Sequence, residues 1–443
     1  MRYVSIAAVD RPFDDVYISP HLDDVALSCG GRILSERALS RSVLVVTVFT
    51  ADAGPCRNIP PRVRARVGEM EKRRREDERA MERLGVDFLW LGYPEAIFRD
   101  RVYHTLYGAF SRMATSDHDV IARLASEFHE LLKRVRPQRV YWPLGVGHHA
   151  DHRVVFEAGV RVAEGIASRG SREGSGRSAD APSLSLALSE CGNGPDLYFY
   201  EDAPYALIPH LVEHRLEMVR ARSLQEHTLE SCSIWARTRD AYAAMMSLAS
   251  VRAEVGRWAW RAAAYGFLLV HFARGRRAQR RASPRFWLVP ELCEIGKVLP
   301  HKLDILAEYG SQIAPVLGDL HSYVRLRLAY SQRLATLALG HVLSGIPRDP
   351  ESAWESQCRS PEGTPCLEDR PTSGVFERVW RIVRINRETP ETSPAIHREG
   401  VQDQDSDALG RGCGRSRGET FPGVHSTIFP ASAEAATVSG LAR

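Results

Sequence analysis

An α/β fold built on a mostly parallel sheet flanked by helices is what this sequence predicts, on three observations. Short apolar, β-branched runs recur through the first two hundred positions. Segments of helical length and periodicity separate them. The run at 43–49, V-L-V-V-T-V-F, is apolar with almost no alternation. That is the pattern of a strand covered on both faces, as in a parallel sheet.

The elements follow in order. Residues 16–19 form a short apolar run that ends at Pro20, and 43–49, 86–91, 139–144 and 197–200 read as further strands. Residues 25–39, 62–84, 120–135 and 151–167 carry helical patterns between them. Strands alternating with helices of this length argue for a parallel sheet. Residues 168–195 are rich in Ser, Gly and Arg and read as a mobile insert. From about 203 to 343 the chain reads as mostly helical, a helical C-terminal extension. Residues 346–443 lose apolar periodicity and read as a largely disordered tail with one short helix at 375–385. Removal of everything after Pro347 is therefore expected to leave stability nearly intact.

Composition narrows the class. The chain has 443 residues, 44% hydrophobic and 26% charged, the balance of a soluble globular protein. A net charge of +4 is small for this length, and no nucleic-acid-binding motif is present, so no nucleic-acid partner is expected. Eight Cys occur without a C-x-x-C pair, which argues against a cysteine zinc knuckle. They read as reduced thiols of a cytoplasmic protein. Residues 1–15 hold no apolar core of signal-peptide length, and the apolar stretch 262–273 is too short to span a bilayer.

Two segments carry chemistry. Ser19-Pro20-His21-Leu22-Asp23-Asp24 directly follows the first predicted strand, and Gly147-His148-His149-Ala150-Asp151-His152 follows the strand at 139–144. Ligands of open parallel sheets bind outside the carboxyl ends of the strands. His21, Asp24 and His152 would supply N, O and N ligands, and three protein ligands with one open position suit a catalytic zinc. Asp23 is then left to take a proton from water. Taken alone, the Asp pair also suits a helix N-cap with a favourable first-turn charge.

These residues resemble the LmbE/PIG-L family of zinc-dependent N-deacetylases, which act on N-acetylglucosamine-type substrates. The resemblance rests on P-H-L-D-D followed by a helix with C-G-G, and on the distant H-x-D-H. Supporting segments are R-x-x-E-x-x-x-A-x-x-x-L-G from Arg73 to Gly85, Y-E-D-A-P-Y from Tyr200 to Tyr205, and a K…Y-x-S-Q segment from Lys302 to Gln312. It covers about residues 14–345, with a helical basic insertion at 212–296. It implies a Rossmann-like sheet and zinc (Zn2+) held by His21, Asp24 and His152. It also implies Asp23 as general base, His149 beside the substrate carbonyl, and Asp151 orienting His149. Arg73 matches an arginine implicated in substrate binding, although a solvated face of an Arg-rich helix explains it equally well. The substrate implied is an N-acetylamino sugar, free or conjugated. His148 departs from the pattern, standing where related sequences often have glycine. It is read as crowding the mouth, adding a hydrogen bond or supplying a second metal ligand.

Three alternatives stand beside this reading. One is a catalytically inactive sugar-binding module of the same fold, which the unbroken set of ligands and base argues against. Another is a phosphate-receiving signalling domain, which would leave His21 and His152 unexplained. The last is attachment to a membrane surface or a lipid-linked sugar through residues 252–285. That stretch runs from Arg252 to Arg285 and holds nine Arg, one Glu and aromatic residues. A helical hairpin with a snorkelling basic face accounts for the same residues.

Overall fold

The computed structural model describes residues 1–111, 113–173, 186–187, 194–223, 233–247, 258–281, 283–338 and 374–385. Among them ten strands form one sheet: β1 (Arg2–Tyr3), β2 (Asp15–Ser19), β3 (Val43–Ala51), β4 (Asp87–Pro94), β5 (Arg139–Pro143), β6 (Leu186–Ala187), β7 (Asp196–Tyr200), β8 (Ala221–Ser223), β9 (Phe286–Glu294) and β10 (Phe376–Ile385). Their order is β1-β4-β3-β2-β5-β7-β10-β9-β8, with β6 paired to β10 off this path. The run from β1 to β7 is parallel, and β8 is parallel to β9. Only β10 runs antiparallel to its neighbours β6, β7 and β9. The sheet is thus mixed and mostly parallel.

Side-chain alternation builds a core on each face. Val16, Ile18, Leu44, Val46, Val140, Trp142 and Phe199 enter one core, with buried residues of the helices Asp117–Val135 and Ala150–Glu173. Tyr17, Val43, Val45, Tyr141, Tyr198 and Tyr200 enter the other, with the helices Asp24–Ala38, Met70–Leu84, Leu299–Leu306 and Leu320–Ala338. Tyr17 stacks on Tyr141 with ring centroids 4.2 Å apart, and Tyr141 on Tyr198 at 4.8 Å, a ladder across β2, β5 and β7. Burial on both faces explains the continuous apolar runs in the sequence.

The topology locates a crevice. The chain leaves β2 for β3 and β4 on one side, then returns to lay β5 on the other side of β2. The loops after β2 and β5 therefore diverge at a switch point, where such sheets take their ligands.

Several sequence expectations need correction. The helix expected at 62–84 is two, Pro61–Val67 and Met70–Leu84, broken where Gly68 takes φ +75°. The helix expected to end at 167 runs to Glu173, inside the expected insert at 168–195. Leu186–Ala187 is a strand, and the other residues of 174–193 lie outside the described residues. The insertion at 212–296 holds helices Leu211–Met218, Ile234–Ser247 and Trp258–Arg281, but also β8 and β9. Pro290 is tolerated in β9 because β8 pairs only with Phe286 to Leu288, leaving that edge without a further partner among the described residues.

The largest correction concerns 375–385. This segment is strand β10, not a helix within a tail, and it lies between β7 and β9. A boundary at 345 therefore separates residues that share one sheet. Phe376, Val379, Trp380, Ile382 and Ile385 are buried. Aromatic and β-branched side chains fit a pleated surface better than a helix. Buried Glu377 accepts the amides of Gly31 (3.1 Å) and Arg32 (2.7 Å) and bonds the buried Lys302 ammonium. Lys302, Tyr323 and Arg327 in turn donate to the Leu27 carbonyl. Side chains from the C-terminal elements thus enter the hydrogen-bond ladder of the helix that begins at Asp24.

The basic stretch at 252–285 is described from 258 to 281 and again from 283. Its helix packs against Leu211–Met218 and Ile234–Ser247. Leu268, His271 and Phe272 turn inward, while Arg274, Arg277 and Arg280 are exposed. No described helix is long and apolar enough to cross a membrane.

Candidate metal centre and active site

The turn after β2 is held by its own polar groups. Ser19 Oγ donates to the His21 carbonyl (2.6 Å) and accepts the Val25 amide (3.3 Å), and the Phe49 amide donates to the Pro20 carbonyl (2.9 Å). The Asp24 carboxylate accepts the His21 amide at 2.8 Å. The turn after β5 is held by Asp202, which follows β7. Asp202 Oδ2 accepts the amides of Gly145 (2.7 Å) and Val146 (2.9 Å). Gly145 and Gly147 have φ of +79° and +83°, a region glycine enters without strain. A Cβ on Gly147 would sit 2.5 Å from the Tyr205 ring.

These turns bring His21, Asp24 and His152 together. Asp24 Oδ2 lies 3.1 Å from His21 Nδ1 and 3.2 Å from His152 Nε2. Zinc–ligand bonds of 2.0–2.1 Å at tetrahedral angles require ligand atoms about 3.3 Å apart. The two edges at Asp24 match that requirement, and the donor set has the N, O, N composition that zinc takes. Both far ring nitrogens are engaged: His152 Nδ1 lies 2.6 Å from Asp202 Oδ1, and His21 Nε2 lies 2.9 Å from Asp151 Oδ2. Such outer carboxylates fix the tautomer and raise ligand basicity.

His149 also lies near this point. One nitrogen each of His21, His149 and His152 fall within 4.8 Å of one another. Asp24 Oδ2 lies nearer both imidazoles, at 3.1 Å and 3.2 Å, so Asp24 and His149 are the two candidates for a third ligand beside His21 and His152. His149 sits at the rim, with the Phe110 ring 5.3 Å away.

Asp151 meets His149 through its backbone amide, which donates to Nδ1 at 3.4 Å, not through its carboxylate. Its Oδ2 is 3.9 Å from His149 Nδ1, too far for a hydrogen bond. The carboxylate is engaged instead by His21, by the Ala96 amide (3.1 Å) and by the Arg99 guanidinium. It orients His21 directly.

Asp23 stands at the N-cap position of the helix Asp24–Ala38 but makes no side-chain cap hydrogen bond. The N-cap account therefore does not hold for its side chain. Burial and the Asp24 charge raise its pKa to about 6, against the opposing pull of Arg73 and His21. Arg73 is 4% exposed and ion-paired to Glu95, so it is not a solvated helix face. It is a buried cation near Asp23.

The remaining charges follow from the same contacts. Burial opposes ionisation of Asp24, yet His152 and His21 hold its pKa well below the usual range. Burial also opposes the charge on Asp151, but Arg99 and His21 hold it down as well. Against burial, Asp24 and Asp202 raise His152 to about 9. Burial lowers His149 to about 3, leaving a neutral ring.

Sequence reading had missed four partners: Asp202 for His152, Arg99 for Asp151, Glu95 for Arg73 and Tyr205 against the Gly147 turn. Asp202 and Tyr205 lie in the Tyr200–Tyr205 segment already singled out, whereas Glu95 and Arg99 carry no local motif.

Known families and proteins resemble parts of this chain. Residues 16–163 match the family model described as "PIG-L: GlcNAc-PI de-N-acetylase". The 2'-N-acetylparomamine deacetylase of Streptomyces fradiae is 30% identical over 209 residues, covering 47% of this chain and 63% of the relative. The enzyme of the same name from Niallia circulans is 27% identical over 177 residues, 33% of this chain and 61% of the relative. The chain thus spans about three-fifths of the length of these relatives. Among solved structures, a deacetylase of teicoplanin biosynthesis is 17% identical with a TM-score of 0.47, covering 84% of this chain and 98% of its own. The A40926 pseudoaglycone deacetylase Dbv21 is 17% identical with a TM-score of 0.42, covering 85% and 99%.

Proposed function

We propose, from the match of residues 16–163 to the PIG-L family model, that this chain is a zinc-dependent hydrolase that removes an N-acetyl group from an amino-sugar conjugate. One observation carries the reading: Asp24 Oδ2 lies 3.1 Å and 3.2 Å from the two imidazoles, while adjacent Asp23 caps nothing. The ligand set and the base are separate groups side by side.

His21, Asp24 and His152 would hold zinc, which when bound supplies Lewis acidity toward an amide oxygen and toward water. Asp23 accepts the proton of the attacking water as the water oxygen bonds the acyl carbon. His149, at the rim, donates a hydrogen bond to the carbonyl oxygen as negative charge develops there. The C–N bond then breaks, the amine takes the proton that Asp23 accepted from the water, and acetate and a free amine leave. Arg73 holds a negative charge on Asp23 and binds a polar group of the substrate. Asp202 and Asp151 keep the two histidine ligands in place.

The relatives' names point to an aminoglycoside-like N-acetylamino sugar as the first substrate class to try. The test is acetate release from a panel of N-acetylamino-sugar conjugates, with zinc measured on the same preparation. The reading expects release that is lost on chelation and restored by zinc. Zinc-loaded, folded protein that releases no acetate from any conjugate would leave a sugar-binding module of the same fold.

A further inference from the structure

His148 and His149 are neighbours in the chain but join different imidazole clusters. The second cluster is His148, His214 and His271, with one nitrogen of each within 4.8 Å of the others. Ring centroids are 4.9 Å apart for His148 and His214, 5.5 Å for His148 and His271, and 5.8 Å for His214 and His271. The three residues come from the turn after β5, the helix Leu211–Met218 and the helix Trp258–Arg281. No local spacing in the sequence joins them.

We propose that these three histidines form a second metal site, a tris-imidazole site for a borderline divalent transition metal such as zinc.

An ordinary core histidine satisfies its ring nitrogens with partners. Here His148, His214 and His271 are 7%, 1% and 9% exposed, yet His148 Nε2 and both nitrogens of His214 have no hydrogen-bond partner among the described residues. An unmet buried donor or acceptor is costly, and a coordinated metal satisfies one nitrogen of each ring. His271 Nε2 has only Ser111 Oγ at 3.4 Å. His148 is also held at φ +65°, a conformation non-glycine residues seldom adopt. The turn accepts that strain and points an imidazole inward.

The ligation state also fits. Burial is the first cause that keeps all three rings neutral, lowering His148 well below its usual value, His214 to about 3 and His271 to about 4. Neutral imidazole is the form that binds metal. Arg215 and Arg153 add positive charge that opposes a dication. Glu217 brings a carboxylate to the same region: one oxygen pairs with the Arg237 guanidinium at 2.7 Å, and Oε2 is buried without a hydrogen-bond partner among the described residues. A metal here would tie the two inserted helices to the turn that carries His149.

The experiment titrates zinc, and separately Co2+ with its visible absorption, into metal-free full-length protein. Native chain is expected to bind two ions. His271→Ala is expected to bind one, keeping the native circular dichroism. His148→Gly is expected to do the same, and it should fold because glycine suits the left-handed backbone. His152→Ala should lose the other ion and keep this one. A native stoichiometry of one that His152→Ala abolishes would overturn the proposal while leaving the first site intact. Two ions retained in either folded His148→Gly or folded His271→Ala would overturn it as well.

Discussion

Asp202 Oδ1 lies 2.6 Å from Nδ1 of His152, across 50 residues of chain, while its other oxygen accepts the amides of Gly145 and Val146. One carboxylate therefore sets both the shape of the turn after β5 and the tautomer of His152, a proposed zinc ligand. With a proton on Nδ1, Nε2 is free to face Asp24 and the metal position.

Asp202→Asn tests this directly. Its oxygen can keep the two backbone amides, but its amide group then faces His152 Nδ1 and forces the ring proton onto Nε2. Zinc affinity, read by competition with a chelator, is expected to fall roughly 10–100-fold, the usual loss when an outer partner of a metal ligand is removed. Unchanged affinity would show that Asp202 serves the turn alone.

Truncation after Pro347 separates the two views of the C-terminus. It removes β10, leaving the adjoining edges of β7 and β9 unpaired and Lys302 without Glu377. Five buried apolar side chains go with it, worth on the order of 10 kcal/mol at 1.5–3 kcal/mol each. That equals the whole stability of a typical domain. The truncated chain is expected to be insoluble or unfolded, while one ending at Ser393 keeps β10. Soluble, cooperatively folding protein from the shorter chain would contradict the placement of β10.

The contrast between these regions explains what the sequence could reveal. His21, Asp23 and Asp24 are contiguous, as are His149, Asp151 and His152, and strand ends mark both groups. Asp202, Arg99 and Glu95 act through partners distant in the chain, so no spacing announces them. Phe376, Val379, Trp380 and Val383 sit at i, i+3, i+4 and i+7, which is helical spacing. A strand buried on both faces has no period-two signal to oppose it, and only the free edges of β7 and β9 decide the matter.

Asp77 gives a prediction about pH. Its carboxyl is buried between Trp90 Nε1 (2.7 Å) and the Tyr309 hydroxyl (2.8 Å), and burial raises its pKa to about 7. The folded chain then keeps a proton that the unfolded chain releases near pH 4. Stability tied to this group is present below that pH and declines as pH rises toward about 7, by at most about 1.4 kcal/mol per unit. Asp77→Asn mimics the protonated acid, so the decline between pH 4 and 7 should be smaller in the variant. Urea unfolding of both proteins at pH 5 and pH 8 checks this, and equal pH dependence would contradict it.

The division of labour between Asp23 and Asp24 is the central claim, and zinc content with turnover on the two asparagine variants tests it most directly. Asp24 Oδ2 is at coordination spacing from both histidines, while Asp23 is a buried carboxyl that makes no cap bond. Asp23→Asn should keep its zinc and lose turnover by roughly 10²–10⁴-fold, the range of a general base. Asp24→Asn should lose zinc affinity along with turnover. Zinc lost from Asp23→Asn but retained by Asp24→Asn would reverse the two roles, and full turnover in both would remove the pair from the chemistry.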